Sequence, residues 1–270
     1  MRLAFAVAAL SLAQAALAAE GELALGTGLN YSSGDYGAAA STQIWSVPVT
    51  ARYDTGPWTF KATVPYLRIT GPRAVLPGVG LVDNSSMLPD LINLPLTPAQ
   101  RRQRAESETR TVSGIGDSSI SASYLVAGAG SRSGVGGTLK IKFATGDETQ
   151  GLGTGSNDVS LQVDAFQRLE GHTIFGVVGY TMFGDSPITR FENVLNVGVG
   201  LSQRLDDGGS LGVALDARQG GTPAPQPQRE LTAFWSHPLD RHWRSQFYVL
   251  KGFANGSPNW GGGFSLGYAF

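Results

Sequence analysis

Residues 114–169 read GIGDSSISASYLVAGAGSRSGVGGTLKIKFATGDETQGLGTGSNDVSLQVDAFQRL. Three segments of this stretch alternate polar and apolar side chains with a period of two, which is typical of β-strands. A small Gly/Ser connection joins the first two segments, and a longer glycine-rich connection joins the last two. The stretch therefore predicts three antiparallel strands of one wall.

Each of these strands has one apolar face and one polar face. In the second segment Leu139, Ile141 and Phe143 share a face, while Lys140 and Lys142 share the other. In the third, Val159, Leu161 and Val163 alternate with polar residues. A half-buried strand of a soluble protein has the same alternation, so the rest of the chain has to decide which face meets water.

Composition is unusual for a globular protein and does not exclude a membrane barrel. The chain has 270 residues, 37 glycines and 15% charged residues, against roughly 25% charged residues in average soluble domains. The formal net charge of -1 gives no reason to expect nucleic acid as a partner. The absence of cysteine and the presence of only three histidines exclude disulfides and argue against a transition-metal site. We expect no cofactor.

The first 19 residues have the form of a secretory signal peptide. Arg2 precedes an apolar run that ends in the small-residue pattern of Ala16, Leu17 and Ala18. We expect cleavage after Ala18 or Ala19; a retained membrane helix is the alternative. No later apolar stretch is long enough for a spanning helix, so a membrane-embedded chain would have to be a closed barrel.

Alternating segments recur from residue 20 to the C-terminus and amount to about twelve strands. Short turns alternate with longer loops, as in an up-and-down barrel with a periplasmic and an extracellular rim. The last strand ends on Phe270 and resembles the C-terminal insertion signal of outer-membrane barrels. The fold class predicted is all-β, an antiparallel up-and-down transmembrane β-barrel over residues 20–270 in the bacterial outer membrane. A secreted β-sandwich is the alternative.

Aromatic residues cluster near both predicted rims, as interfacial belts do. Tyr53, Trp58, Trp235, Trp243, Tyr268 and Phe270 fall beside the short turns, and Tyr31, Tyr66, Phe183, Phe191 and Trp260 fall beside the long loops.

A recurrent motif in the central stretch resembles the outer-membrane protein family of the meta-pathway of phenol degradation. Ala144 stands where that family usually has proline. The resemblance implies an outer-membrane transporter or channel, and the family name implies aromatic or phenolic solutes. The motif residues are Gly114, Gly116, Asp117, Gly146, Asp147, Gly151, Gly153, Gly155 and Asp158.

The glycine-rich sequence at 151–155 is not expected to bind phosphate. A nucleotide site needs such glycines to open a helix, and here another strand follows. We expect a tight extracellular loop in which glycines permit positive φ. The flanking carboxylates Asp147, Glu148 and Asp158 do not have the spacing of a calcium loop, and we expect them to lie in solvent.

Charged and polar residues on the polar strand faces are the candidates for lining the lumen. They would either line a conduit or pair across it and fill a narrow barrel. The candidates are Arg52, Lys61, Lys140, Lys142, Asp158, Gln162, Asp164, Glu192, Arg204, Asp216, Arg218, Glu230 and Arg244.

The long segment 71–113 is predicted to be an extracellular loop that gates or plugs the barrel, because it is too apolar for a freely solvated loop. Packing on a partner or on lipopolysaccharide is the alternative. The gate candidates are Leu81, Val82, Leu88, Leu91, Ile92 and Leu94.

The sequence thus predicts an outer-membrane channel for passive uptake of small solutes, including aromatic or phenolic compounds. Its expected partners are outer-membrane lipid, lipopolysaccharide and the barrel-assembly machinery. The alternatives are a non-conducting structural or ligand-binding barrel and a barrel lipase or deacylase. No enzyme is expected, because the histidines lie at the predicted periplasmic rim and Ser236 and His237 point to opposite faces of one strand.

Overall fold

A computed structural model describes residues 21–72, 75–77, 79–81, 109–126, 131–222 and 226–270. The predicted signal peptide and most of the predicted gate segment, including Val82, Leu88, Leu91, Ile92 and Leu94, lie outside these residues, as does the side chain of Leu81. The strands are β1 (Glu22–Gly34), β2 (Thr42–Thr55), β3 (Trp58–Pro72), β4 (Val75–Leu76), β5 (Gly80–Leu81), β6 (Thr109–Ile115), β7 (Ser118–Leu125), β8 (Ser133–Phe143), β9 (Asp158–Leu169), β10 (His172–Met182), β11 (Val194–Arg204), β12 (Ser210–Arg218), β13 (Gln228–Pro238), β14 (Trp243–Gly252) and β15 (Trp260–Ala269).

The long strands form one closed antiparallel wall. Strand β1 pairs with both β15 and β2, and each later long strand pairs with its neighbours in sequence. Strands β6 and β7 both pair with β3 and occupy one place in the wall. The result is a twelve-stranded barrel, which confirms the predicted fold class; the small β4–β5 hairpin is separate.

A proline explains why β6 and β7 are interrupted. On β3, two residues lie between Thr63 and Tyr66, whereas three residues lie between their partners Ser119 and Ile115. The extra residue makes a β-bulge. It lies beside Pro65, which has no N–H to donate, and the Gly116 N–H donates instead to the Pro65 carbonyl at 2.8 Å. The bulge releases Asp117 from the regular ladder.

The two faces of the wall differ as the alternation predicts. Leu139 and Leu161 are 45% and 51% exposed, whereas Lys142 and Asp164 are 8% and 2% exposed. Because the apolar side chains are the exposed ones in a closed barrel, they form the outer, lipid-facing surface. Within the described part of the chain, no helix is long and apolar enough to cross a membrane.

Two boundaries differ from the sequence expectation. Strand β3 continues to Pro72 and β6 begins at Thr109, so the ladder extends into both ends of the predicted loop 71–113. The alternation over 109–115 is easily missed because mostly polar and small residues carry it.

Phe183 and Phe191 were expected in the aromatic belt, but they pack against Leu76 and Val79 at the mouth.

Candidate functional site: the lumen and its extracellular mouth

The structure places the predicted lumen residues at three levels. Glu192 is the exception, since β11 begins only at Val194 and Glu192 lies exposed in the preceding loop. Lys142 and Asp158 lie near the extracellular mouth, and Arg204 and Arg244 lie exposed at the short-turn rim. Arg218, the last residue of β12, lies at the long-loop end, 5.8 Å from the Phe183 ring. The remaining candidates lie between these levels: Arg52, Lys61, Lys140, Gln162, Asp164, Asp216 and Glu230.

A buried ionic cluster holds the mouth together. The Lys142 Nζ lies 2.9 Å from Asp117 Oδ2 and 2.7 Å from Asp158 Oδ2. Lys142 also donates to the hydroxyl of Thr154, and the Ser156 hydroxyl donates to Asp158 at 2.9 Å. Asp158 was expected to be a solvated surface carboxylate; it is buried, because these donors and Lys142 satisfy it.

The same cluster fixes the loop 144–157. Asp117 accepts the backbone N–H groups of Gly146 at 3.0 Å and Thr154 at 3.1 Å. A Cβ on Gly153 would lie 2.2 Å from the Asp117 carboxylate, so glycine is required for this approach. Gly151 and Gly155 have positive φ, which confirms the predicted reason for those two glycines. The motif residues are therefore neighbours in space because they hold one loop.

This loop carries an apolar side chain into the mouth. Leu152 is buried in a cluster with the inward-facing Ile44, Leu67 and Ile69 of β2 and β3. Tyr36 and Val75 complete that cluster. We call it the β2–β3 cluster.

Residues 75–77 and 79 connect this cluster to the opposite wall. Val75 belongs to the β2–β3 cluster, whereas Leu76 and Val79 pack with Phe183, Ile188 and Phe191, which follow β10. Strands β3 and β10 lie on different sides of the barrel. These residues therefore cross the mouth.

The middle of the lumen has a different electrostatic arrangement. Among the described residues, Lys61, Lys140, Asp164, Asp216 and Glu230 take part in no ion pair. In the same part of the chain, Asp164 Oδ1 and Glu230 Oε1 are buried without a hydrogen-bond partner. Arg52, by contrast, pairs with Asp54 at 2.6 Å.

Aromatic rings line part of the lumen on the side nearer the short turns, which we call the lower lumen. Phe166 pairs directly with Phe175 across β9 and β10, and Phe234 pairs with Tyr248 across β13 and β14. Each ring lies over a glycine of the adjoining strand, because a Cβ there would meet the ring within 2.6 Å. The glycines are Gly134, Gly200, Gly212 and Gly263. We call this strip of rings the aromatic band.

The histidines form no catalytic dyad with a serine hydroxyl among the described residues. His237 Nδ1 lies 3.2 Å from Asp207, but the neighbouring Ser245 hydroxyl donates to the His237 backbone carbonyl. His172 and His242 contact the backbone carbonyls of Glu170 and Ala269. These contacts orient none of the three histidines toward a serine hydroxyl in the described part of the chain.

Comparisons with known proteins support the fold. No family model and no curated protein match the chain. Among solved structures, it resembles an outer membrane channel from Pseudomonas putida F1, with a TM-score of 0.66 and 14% identity over 93% of this chain and 96% of that one. It also resembles the KdgM porin, with a TM-score of 0.51 and 8% identity over 91% and 99% of the two chains.

The translocator domain of the autotransporter NalP from Neisseria meningitidis is a further structural neighbour. Its TM-score is 0.53 at 12% identity, covering 98% of this chain and 95% of that one. The chain has the fold of bacterial outer-membrane barrels. The predicted outer-membrane location is confirmed at the level of the fold, while the resemblance to the phenol-degradation family stays a prediction.

Sequence reasoning missed several residues of the mouth. Thr154 and Ser156 were not named as ligands of the ionic cluster, and neither Tyr36 nor Leu76 was named as a mouth residue, whereas Val79 belongs to the predicted gate segment. The motif itself contained a usable signal, because both Gly153 and Asp117 belong to it. Nothing in the local sequence around Tyr36 or Leu76 marks a long-range apolar contact.

Proposed function

We propose that this protein is an outer-membrane channel for passive diffusion of small solutes. The observation that carries the proposal is the group of unpaired charges in the middle of the lumen. A lysine and a carboxylate that are removed from water and left unpaired each cost several kcal/mol. The half-buried Lys61, Lys140 and Asp216 keep their charges at the lowest cost when water in the lumen solvates them.

The alternative of a barrel filled by ion pairs fits these residues poorly. In such a barrel, opposite charges would meet across the lumen and satisfy one another. Within the described residues, the ion pairs of Lys142 lie near the mouth, and that of Arg52 joins two residues of one strand. The mid-lumen charges instead resemble the lining of a conduit.

The mouth would be the restriction of this channel. Val75 and Leu76 meet loop 144–157 there, and Arg110 donates to the Gln150 carbonyl at 2.6 Å beside them. We propose that the predicted gate segment, with Leu81, Val82, Leu88, Leu91, Ile92 and Leu94, continues this cover. Deleting residues 79–96 should raise the single-channel conductance; an unchanged conductance would contradict a gate.

Aromatic or phenolic compounds remain our proposed solutes within this channel. The aromatic band offers ring faces and edges along the lower lumen, where a passing aromatic ring gains contact area. Liposome swelling with sugars, carboxylates and phenolics tests this directly. Phenolics that enter no faster than sugars of similar size would remove the solute assignment but leave the channel intact.

The sequence-derived processing and partners complete the proposal. Residues 1–19 would be removed on export, and the barrel-assembly machinery would insert residues 20–270 into the outer membrane. Lipid would contact the apolar face, and lipopolysaccharide the long-loop rim. Amino-terminal sequencing of the chain isolated from membranes checks the cleavage site.

Planar-bilayer recording of residues 20–270, refolded, tests the channel itself. We expect stepwise conductance in KCl. A folded barrel that inserts without any conductance would favour the second candidate, a structural or ligand-binding barrel, whose mouth is kept closed by the buried Leu76 and Leu152. Hydrolysis of a lipid ester by the folded barrel would instead favour the lipase.

A further inference from the structure

Three polar side chains lie side by side on one wall of the lumen. Ser121 of β7 pairs directly with Lys61 of β3 on one side and with Lys140 of β8 on the other. All three are half-buried on the inner face. Neighbouring strands lie about 4.8 Å apart, so the backbones of the two lysines are about 10 Å apart with the serine between them. We call these three residues the lysine–serine row.

The donors of this row are unused, although the hydroxyl groups around it are not. In the described part of the chain, Lys61, Ser121 and Lys140 take part in no hydrogen bond and no ion pair. The surrounding hydroxyls are hydrogen-bonded to one another across neighbouring strands. These pairs are Thr50–Thr63 at 3.4 Å, Ser123–Thr138 at 2.8 Å and Ser160–Thr181 at 2.9 Å.

The carboxylates nearest to this row along the wall are either paired or distant. Asp54 and Asp158, on the flanking strands, already have cationic partners. Asp164 lies on β9 four residues beyond Ser160, the direct partner of Lys140. Four residues of a strand span about 13 Å, which exceeds the screening length of about 8 Å at physiological ionic strength. The row is therefore a local centre of positive charge.

We infer that the lysine–serine row is a binding site for the carboxylate group of a small organic solute. Lysine has a flexible four-carbon stem, so both ammonium groups can bend toward an anion above Ser121. An ionised carboxylate has two oxygens with about four acceptor positions, and it can accept from both ammonium groups and the hydroxyl together. It also places a negative charge between two cations that repel each other.

This inference rests on the proposed channel and names one class of solute for it. Reversal potentials between KCl and potassium propanoate provide the test, because they give the permeability of propanoate relative to chloride. The refolded wild-type barrel should show a ratio about threefold or more above that of the Lys61→Gln/Lys140→Gln variant. The reason is that weak binding favours entry of the carboxylate without blocking its exit.

A serine variant separates a binding site from a general effect of positive charge. Ser121→Ala keeps both lysines, so the selectivity between potassium and chloride should stay at the wild-type value while the propanoate ratio falls by about twofold. Ser123→Ala is the matched control, because that hydroxyl is already bonded to Thr138. Lys251→Gln removes a charge from the outer face, 4.5 Å from the Trp260 ring. Both controls should keep the wild-type ratio.

The outcomes distinguish the site from the channel, once heat-modifiable mobility on gels has confirmed that each variant is folded. If KCl gives conductance but the double lysine variant keeps the wild-type propanoate ratio, the site is wrong and the channel stands. The site is equally wrong if Ser121→Ala leaves the ratio unchanged, or if either control lowers it as much. If the folded wild-type barrel gives no conductance in KCl, both proposals are refuted.

Discussion

Lys140 and Lys142 lie two residues apart on the same face of β8, yet their surroundings are opposite. Lys142 touches two carboxylates and is 8% exposed. Lys140 is half-buried and has no ion-pair partner among the described residues. Lys142 belongs to the buried ionic cluster at the mouth and Lys140 to the lumen below it, so the boundary between these regions falls within two residues of β8.

The difference shows how one strand serves two purposes. At the mouth, the bulge beside Pro65 turns Asp117 toward Lys142, and the pair holds a loop against apolar side chains. Lower down, the regular ladder places Ser121 opposite Lys140 and supplies no carboxylate. The bulge therefore gives Lys142 a carboxylate that also binds the backbone of loop 144–157. We call Lys142 with Asp117 the anchor of this loop.

Removing the anchor should have the largest effect. Lys142→Met leaves Asp117 and Asp158 buried without their cation, which costs about 3–5 kcal/mol. The loop should open, and exchange of the Gly146 and Thr154 amide protons should accelerate by about 100-fold or more. Lys140→Met is the matched control and should leave this exchange unchanged; equal effects of both variants would contradict the comparison.

Adding a side chain at Gly153, beside the Asp117 carboxylate, should have the next largest effect. Gly153→Ala places a Cβ 2.2 Å from the Asp117 carboxylate, and such overpacking costs about 1–3 kcal/mol. We expect faster proteolysis within residues 146–156. Gly137→Ala, whose Cβ meets nothing closer than 4.0 Å, should be cut at the wild-type rate.

Neutralising the lumen lysine should change selectivity without changing the loop. Lys140→Gln removes a positive charge from the conduit, so cation permeability relative to anions should rise by about twofold. Reversal potentials across a KCl gradient measure this ratio. If Lys251→Gln on the outer face shifts the potential as far, Lys140 does not face the permeating ions.

Acidification should have the smallest effect at the mouth. Hydrogen bonds from Thr149 and then Gln150 hold the pKa of the half-buried Asp147 below its ordinary value of 3.8. A lowered pKa means that ionised Asp147 stabilises the turn above pH 3.8 and that this contribution is lost as the pH falls below it. Exchange at the Gln150 amide should show this dependence, and Asp147→Asn should abolish it.

The barrel was predictable from alternation, because the apolar positions of each strand indicate by themselves which residues face lipid. Leu139, Leu161 and Val163 mark the outer surface without knowledge of any partner strand. The motif likewise indicated a loop with positive φ at Gly151 and Gly155. These features depend on local geometry, so local sequence reveals them.

The pairing of charges was not predictable for a physical reason. Lys140 and Lys142 have the same period, face and side chain. They differ in the bulge that brings Asp117 to Lys142 and in their partners on β9, which are Asp158 for Lys142 and Ser160 for Lys140. Glu192 carried a strand-like alternation but lies in a loop, because the ladder with β12 begins beyond it. The crossing of the mouth by Leu76 and Val79 depends on contacts with the distant β10–β11 loop.

Single cysteines at adjacent positions of β8 test the hydrated lumen most directly, since the chain has no cysteine of its own. Lys140→Cys and Ile141→Cys barrels are recorded in planar bilayers while a charged, membrane-impermeant thiol reagent is added. We expect the Lys140→Cys conductance to change stepwise on modification and the Ile141→Cys conductance to stay constant. An unreactive Lys140→Cys in a conducting barrel, or equal reaction at both positions, would contradict the account.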